Sequence, residues 1–156
     1  MSGEGAQIRT AHYVRAGTDR FRGRGQREVF GSRVIDFKVS ALDTNGGLSV
    51  SELIDVEKGG PSRHLHYEQE EWFYVAEGEY IIEVGDERYE LGPGDCVLAP
   101  RKVAHVWAQV GEGKERLIAA LQPAGEIEAF FGELAKLGSS PRREELRRVS
   151  VRTDRS

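Results

Sequence analysis

Three of the four histidines in this 156-residue sequence lie in two short segments whose spacing suits a metal ion. His64 and His66 are separated by one residue, and His105 lies in the second segment, GDCVLAPRKVAHVWAQV. Alternate residues of a β-strand point to one face, so a strand through His64 and His66 would direct both imidazoles at one point. Glu71 and His105 on neighbouring strands can add a carboxylate and a third imidazole. The sequence therefore predicts a metal site made of His64, His66, Glu71 and His105.

The chemistry of this ligand set narrows the choice of ion. Three imidazoles and one carboxylate suit a single divalent first-row metal, namely Fe, Mn, Ni, Co, Cu or Zn, and do not suit Ca or Mg. Glu68 and Glu70 are rival carboxylates in the same segment. The alternative interpretation is that the histidines are hydrogen-bonded core residues that hold no ion.

The elements that must position these residues are short β-like runs. Eight of them precede residue 123, separated by turn signals such as NGG, GD, GPGD and GEGK. Many short strands joined by glycine-rich turns predict an all-β fold, an antiparallel sandwich or barrel. The eight runs are RVIDFKV, LSVSELIDV, EWFYVAE, YIIEV, RYEL, CVLAP, HVWAQV and RLIAALQ.

The spacing of apolar residues changes after Pro123, from the alternation of a strand to the period of a helix. In GEIEAFFGELAKLG, apolar residues recur at the i, i+3, i+4, i+7 spacing from Ile127, which predicts one C-terminal amphipathic helix packed against the barrel. We expect a polar, partly flexible N-terminal arm over 1–32, the barrel with its C-terminal helix over 33–138, and a basic tail over 139–156.

Composition excludes several classes of protein. The net charge of -4 and the pI near 5.6 provide no overall positive potential that would attract nucleic acid or anionic lipid, so neither is expected as a partner. No apolar run approaches the roughly 20 residues that cross a bilayer, and the polar start lacks the apolar core of a secretory signal. A cytoplasmic location is expected. Cys96, the single cysteine, cannot form an intrachain disulfide, and we expect it to be a small core residue.

The two histidine segments resemble the paired motifs of the cupin superfamily. The first motif runs Gly, five residues, His-x-His, three or four residues, Glu, six residues, Gly, and this chain matches it from His64 to Gly78. The six-residue interval before Gly78 selects Glu71 over Glu70. In the second motif Gly94, Pro100 and His105 stand in register.

Three positions depart from the motifs. Lys58 and Lys102 stand where the motifs have glycine, and Gln109 replaces the asparagine of the second motif. None of the three is a ligand position, so these departures bear on loop geometry and on the pocket.

The resemblance covers about residues 33–123 and implies a cupin jelly roll, a homodimer and a metal-dependent enzyme acting on a small organic substrate. The chain's first motif closely resembles that of the quercetinase-like cupins. This resemblance implies a dioxygenase, an oxidoreductase acting on an enol, diketone or flavonol-like substrate with Glu71 taking its proton. A redox-silent metal would instead act as a Lewis acid in an isomerase, epimerase or cyclase. A small-ligand binding or sensing module is the third alternative, since one fold hosts many functions.

Alternation along the strands also indicates which side chains lie beside the metal. Phe73 follows Glu71 on the same face, and Trp107 and Gln109 follow His105. These three residues are candidates for an apolar, partly aromatic substrate pocket with one amide. The alternative is that Phe73 and Trp107 only fill the barrel.

Overall fold

The structure of the protein is a computed structural model that describes residues 10–21, 27–29, 33–55 and 60–125. These ranges contain nine strands and a single turn of 3-10 helix at Ala41–Asp43. The strands are β1 (Arg27–Val29), β2 (Arg33–Val39), β3 (Ser49–Asp55), β4 (Glu70–Glu77), β5 (Tyr80–Val84), β6 (Glu87–Leu91), β7 (Cys96–Ala99), β8 (His105–Gln109) and β9 (Glu115–Gln122).

All strand pairings within the described ranges are antiparallel. One sheet has the order β1-β2-β3-β9-β4-β7, and a second has the order β6-β5-β8. The predicted all-β, antiparallel sandwich is therefore confirmed. The helix predicted from Ile127 onward and the basic tail over 139–156 lie outside the described residues.

Alternation of polar and apolar residues decides which face of each strand is buried. In β4, Phe73 and Val75 are fully buried and Glu71 nearly so, whereas Trp72 between them is 38% exposed. β8 repeats the pattern, with His105 and Trp107 buried. The inward faces of the two sheets form one hydrophobic core, as the period of two requires.

The segment before β2 contacts the large sheet. The Asp19 carboxylate accepts a hydrogen bond from the backbone N–H of Phe37 (2.8 Å), and Phe21 packs edge-to-face on the Phe37 ring. β1 pairs with β2 as the edge strand. Part of the polar N-terminal segment thus adds an edge strand and polar contacts to the barrel.

The expectation for Cys96 was wrong, because this residue is exposed. It pairs with Tyr74, whose side chain lies on the outer face of β4, so Cys96 shares that outer face. No helix among the described residues is long and apolar enough to cross a bilayer.

Candidate metal centre

The site lies between the two sheets, where strands from each begin. Glu71 is the second residue of β4 in the six-stranded sheet, and His105 is the first residue of β8 in the three-stranded sheet. Both side chains point inward, so the carboxylate and the imidazole meet in the interior.

The strand predicted through His64 and His66 does not form. Instead, His64 makes an isolated bridge to His105, with its N–H donating to the His105 carbonyl (3.0 Å) and its carbonyl accepting from the His105 N–H (2.7 Å). The His66 carbonyl accepts a hydrogen bond from the Lys102 N–H (2.7 Å). These bonds fix the segment against β8 and the loop before it, and both imidazoles still reach the site.

One potential ligand atom from each of the four residues lies within 4.8 Å of the other three. Glu71 Oε1 is 3.0 Å from His105 Nε2 and 3.3 Å from His66 Nε2. Two ligands on opposite sides of an ion at about 2.1 Å would be about 4.2 Å apart. The four side chains therefore fit one ion after shifts of a few tenths of an ångström.

Burial of the four side chains strengthens the electrostatic interactions between them. His105 is 1% exposed, His66 4% and Glu71 8%, while His64 is partly buried. Burial lowers the pKa of His64, and the neighbouring His105 lowers it further, so this imidazole favours the neutral form that binds metals. Burial alone would raise the pKa of Glu71, but hydrogen bonds with His105 and His66 outweigh it and hold the pKa well below its usual range.

The ring nitrogens show where a cation fits. His64 Nδ1 lies 2.7 Å from the Ser62 carbonyl, so Nδ1–H donates there and Nε2 keeps its lone pair. His105 faces an acceptor at each nitrogen: Val103 O at 3.4 Å from Nδ1 and Glu71 Oε1 at 3.0 Å from Nε2. A neutral imidazole carries only one N–H, so it can donate to only one of these two oxygens. At the other nitrogen, the lone pair of the ring faces a lone pair of the oxygen, and a cation between them removes this repulsion. The donor set and its geometry fit a divalent metal.

The rival carboxylates lie elsewhere. Glu70 forms a bidentate ion pair with Arg101, and the hydrogen bond with Arg101 lowers the pKa of Glu70. Glu68 is exposed. Glu71 is the carboxylate that joins the three histidines in the described cluster.

Two of the motif positions have a backbone explanation. Gly78 has φ +90°, and a Cβ atom there would lie 2.0 Å from the buried Glu115 carboxylate, so both conformation and space require glycine. Lys102, which replaces a motif glycine, still adopts the left-handed conformation with φ 67°. The loop thus keeps the glycine-like conformation without the glycine. Lys58 lies outside the described residues.

The three predicted pocket residues are placed differently. The Phe73 ring lies edge-to-face against the His105 ring, with 5.7 Å between centroids. Trp107 is buried against Tyr80, with 5.9 Å between centroids. Gln109 lies four residues beyond His105, which is about 13 Å along a strand, and its amide donates to the Gly113 carbonyl (3.4 Å). The structure brings Phe73 to the four candidate ligands and leaves Gln109 away from them.

Sequence reasoning missed the carbonyls of Ser62 and Val103 that orient two of the imidazoles. A backbone acceptor has no signature in residue type. In both cases the carbonyl belongs to the residue two positions before the histidine, and this interval is the only shared signal in the sequence.

Residues 52–120 match the family model described as "Cupin domain". Among curated proteins, the chain is similar to Protein SchB of Streptomyces halstedii, with 32% identity over 62 residues, 40% of this chain and 45% of that protein. The chain matches about half the length of its curated relatives, 48% and 45% for the two proteins found.

Solved structures share the fold. An RmlC-like cupin from Shewanella frigidimarina NCIMB 400 superposes with a TM-score of 0.61 at 20% identity, over 78% of this chain and 98% of that one. The structure described as FeII HppE superposes with a TM-score of 0.50 at 21% identity, over 58% of this chain and 50% of that one. At these identities the likeness concerns the fold.

Proposed function

We propose that this cupin-domain protein is a metal-dependent dioxygenase of a small enol, diketone or flavonol-like molecule. The observation that carries the proposal is the convergence of three imidazoles and one carboxylate, buried between the sheets, within 4.8 Å. The FeII form of HppE, whose fold is similar, offers an example of a redox metal in this kind of protein.

A divalent redox metal held by His64, His66, Glu71 and His105 would supply open positions for the substrate oxygens and for O2. The four side chains come from the start of β4, from the start of β8 and from the segment that is bridged to β8. Both atoms of O2 enter the product, so the substrate carbon is oxidised as O2 is reduced.

Glu71 is proposed as the base that takes the substrate's enol proton. Its carboxylate lies among the three histidines, beside the position where the substrate's oxygens would bind. Phe73 is proposed to contact the substrate, because its ring meets His105 on the inward face. Trp107 is proposed to add a second aromatic ring to the pocket beside Phe73. Gln109 lies farther along β8 and is given no contact with the substrate.

We also propose a homodimer formed through the outer face of β4 and β7. Trp72 and Tyr74 stack there with 5.6 Å between ring centroids, and Leu98, paired with Trp72, is 57% exposed. Within the described sheet β7 is an edge strand, so an apolar face lies beside an unpaired edge. A second copy would cover both. Leu98→Glu should shift the protein to a monomer in sedimentation, and an unchanged dimer would place the interface elsewhere.

The test of the enzymatic proposal begins with protein purified without oxygen and loaded with Fe, Mn, Ni or Co. O2 uptake is followed with quercetin and with acetylacetone, beside the His64→Ala/His66→Ala double variant as the metal-free control. The proposal predicts O2 consumption matched to substrate loss in the loaded protein alone. Turnover at an undiminished rate without O2 would support an isomerase or cyclase, and binding without turnover would support a sensing module.

A further inference from the structure

Asn45 and Gly46 form the tip of the turn between the 3-10 helix and β3. Gly47 donates its N–H to the Thr44 carbonyl (3.1 Å), and the φ angles of Asn45 and Gly46 are 53° and 81°. Two positive φ angles at the central positions are the pattern of a type I′ turn. Asn45, Gly46 and Gly47 are exposed, so water reaches the Asn45 side chain. Asn45 is the only asparagine in the sequence.

An asparagine followed by a glycine can modify itself. The backbone nitrogen of Gly46 attacks the side-chain carbon Cγ of Asn45, a C–N bond forms, and the side-chain amide leaves with the Gly46 proton as ammonia. Water then opens the resulting cyclic imide. Attack of water at Cγ gives aspartate, and attack at the main-chain carbonyl carbon gives isoaspartate. Glycine favours the ring closure because it has no side chain beside the attacking nitrogen.

The fold restrains the attacking nitrogen. The Gly46 N–H donates to the Ala41 carbonyl (2.9 Å), and the Gly46 carbonyl accepts from the Ala124 N–H (2.9 Å). The Thr44 hydroxyl brackets the same turn, because Oγ1 accepts from the Leu48 N–H (2.9 Å) and donates to the Leu48 carbonyl (2.8 Å). Gly46 must give up the proton that it donates to Ala41 before its nitrogen can attack. The turn therefore has to open before the reaction proceeds.

Isoaspartate at this position would alter a junction of the fold. The bond between Gly46 and Ala124 joins the turn to the residues that follow β9, and Ala124 is fully buried. The neighbouring Pro123 carbonyl accepts from the Gln69 side-chain amide (2.9 Å), which ties the same residues to the segment before β4. Isoaspartate lengthens the main chain at Asn45 by one carbon atom. This insertion moves Gly46 relative to Ala124 and breaks their hydrogen bond.

We propose that Asn45 is a deamidation site whose rate is set by opening of the turn over 44–47, and that its isoaspartate product breaks the contact between Gly46 and Ala124. The reaction is slow while the turn is closed and fast once the turn opens. The extent of modification therefore records the age of a molecule and how often this turn has opened. The site needs no reactant other than water and does not depend on the chemistry proposed at the four candidate metal ligands.

Mass spectrometry of the intact full-length protein follows the reaction at pH 8, because the exchange of an amide for an acid changes the mass. Each net hydrogen bond that must break corresponds to about a five-fold factor. Protein unfolded in guanidinium chloride should therefore deamidate at least about ten-fold faster than folded protein. Asn45→Gln, whose longer side chain closes a larger ring far more slowly, is the control and should keep its mass over the same time.

A substitution beside the turn tests the role of its opening. Thr44→Val removes both hydroxyl contacts with Leu48 and nearly preserves the shape of the side chain. The folded variant should deamidate about five-fold faster than the folded wild type. Thr18→Val is the matched control, because it removes an exposed hydroxyl bond to the Arg15 carbonyl (2.8 Å) and should leave the rate unchanged.

The effect of the product is measured on the isoaspartate form, purified from aged protein by chromatography and identified with an isoaspartyl methyltransferase. It should melt at a lower temperature than Asn45→Asp, which carries the same charge on an unaltered backbone. Equal deamidation rates in folded and unfolded wild type, an unchanged rate in folded Thr44→Val, or aspartate without isoaspartate would overturn the proposed site. Equal melting temperatures of the isoaspartate form and Asn45→Asp would overturn the proposed loss of the contact with Ala124.

Discussion

Glu71 Oε1 lies 3.0 Å from Nε2 of His105, whose other ring nitrogen already faces the carbonyl of Val103. An imidazole between two acceptors is satisfied as an imidazolium or with a cation at one nitrogen. The buried carboxylate has the same requirement, because an ionised group out of water needs a counter-charge. One divalent ion between Glu71 and the three imidazoles meets both requirements at once.

The first prediction separates Glu71 from its neighbour. Glu71→Gln should weaken metal binding by at least ten-fold, because a charged ligand is replaced by a neutral amide. Turnover should stay low even when excess metal restores occupancy, since the amide cannot take a proton. Metal affinity is measured by competition with a chromophoric chelator, and turnover by O2 uptake.

Glu70→Gln is the matched control for this prediction. It breaks the exposed ion pair with Arg101, which contributes little, and should leave metal affinity nearly unchanged. Loss of metal in Glu70→Gln together with retention in Glu71→Gln would show that the carboxylate was wrongly assigned.

The second prediction concerns the left-handed residue in the loop before β8. The left-handed conformation of Lys102, with φ 67°, costs a non-glycine residue about 1–2 kcal/mol of folded-state stability. Glycine removes this cost, but its greater freedom in the unfolded chain cancels part of the gain. Lys102→Gly should therefore raise the free energy of unfolding by about 0.5–1 kcal/mol in urea denaturation. Lys114→Gly, at an exposed turn position without a positive φ, should lower it or leave it unchanged. Equal effects of the two substitutions would argue against strain at Lys102.

The third prediction is a pH dependence that arises from Glu115, which is not one of the four candidate metal ligands. Glu115 is fully buried, with Oε2 accepting from the Glu79 N–H (2.7 Å). Burial raises the pKa of Glu115, and the charges of Glu79 and Glu77 raise it further, against hydrogen bonds with the Glu79 backbone and Gln109. The folded protein thus binds this proton more tightly than the unfolded chain does.

The sign follows from that difference. Stability from Glu115 is complete below the ordinary carboxyl pKa of 4.5 and is lost as pH rises through the raised folded pKa. Glu115→Gln keeps an acceptor for the Glu79 N–H and mimics the protonated acid. Its melting temperature should exceed that of the wild type at pH 8, with the gap closing toward pH 4.5. Glu90→Gln, at an exposed position, is the control, and a gap that is constant with pH would contradict the prediction.

The strands and the candidate metal site could be predicted because both depend on local spacing. In β4 the alternation of Phe73 and Val75 with Trp72 and Tyr74 fixes the buried face from sequence alone. The His-x-His and Glu71 spacing, with His105 from the second segment, similarly identifies the four candidate ligands that the fold brings together.

Other features depend on partners that the sequence does not reveal. Cys96 lies in CVLA, a run without polar alternation, so its face is set by pairing with Tyr74. His64 is held by a bridge to His105 and His66 by a hydrogen bond with the Lys102 N–H, whereas the spacing alone predicted a strand through both histidines.

Elemental analysis of the protein purified without oxygen tests the central claim most directly. The wild type should contain about one divalent transition metal per chain, and the His64→Ala/His66→Ala variant should contain none while its β-sheet circular dichroism spectrum is retained. A wild type without metal that also fails to take up Fe, Mn, Ni, Co, Cu or Zn, or a double variant with full occupancy, would contradict the site.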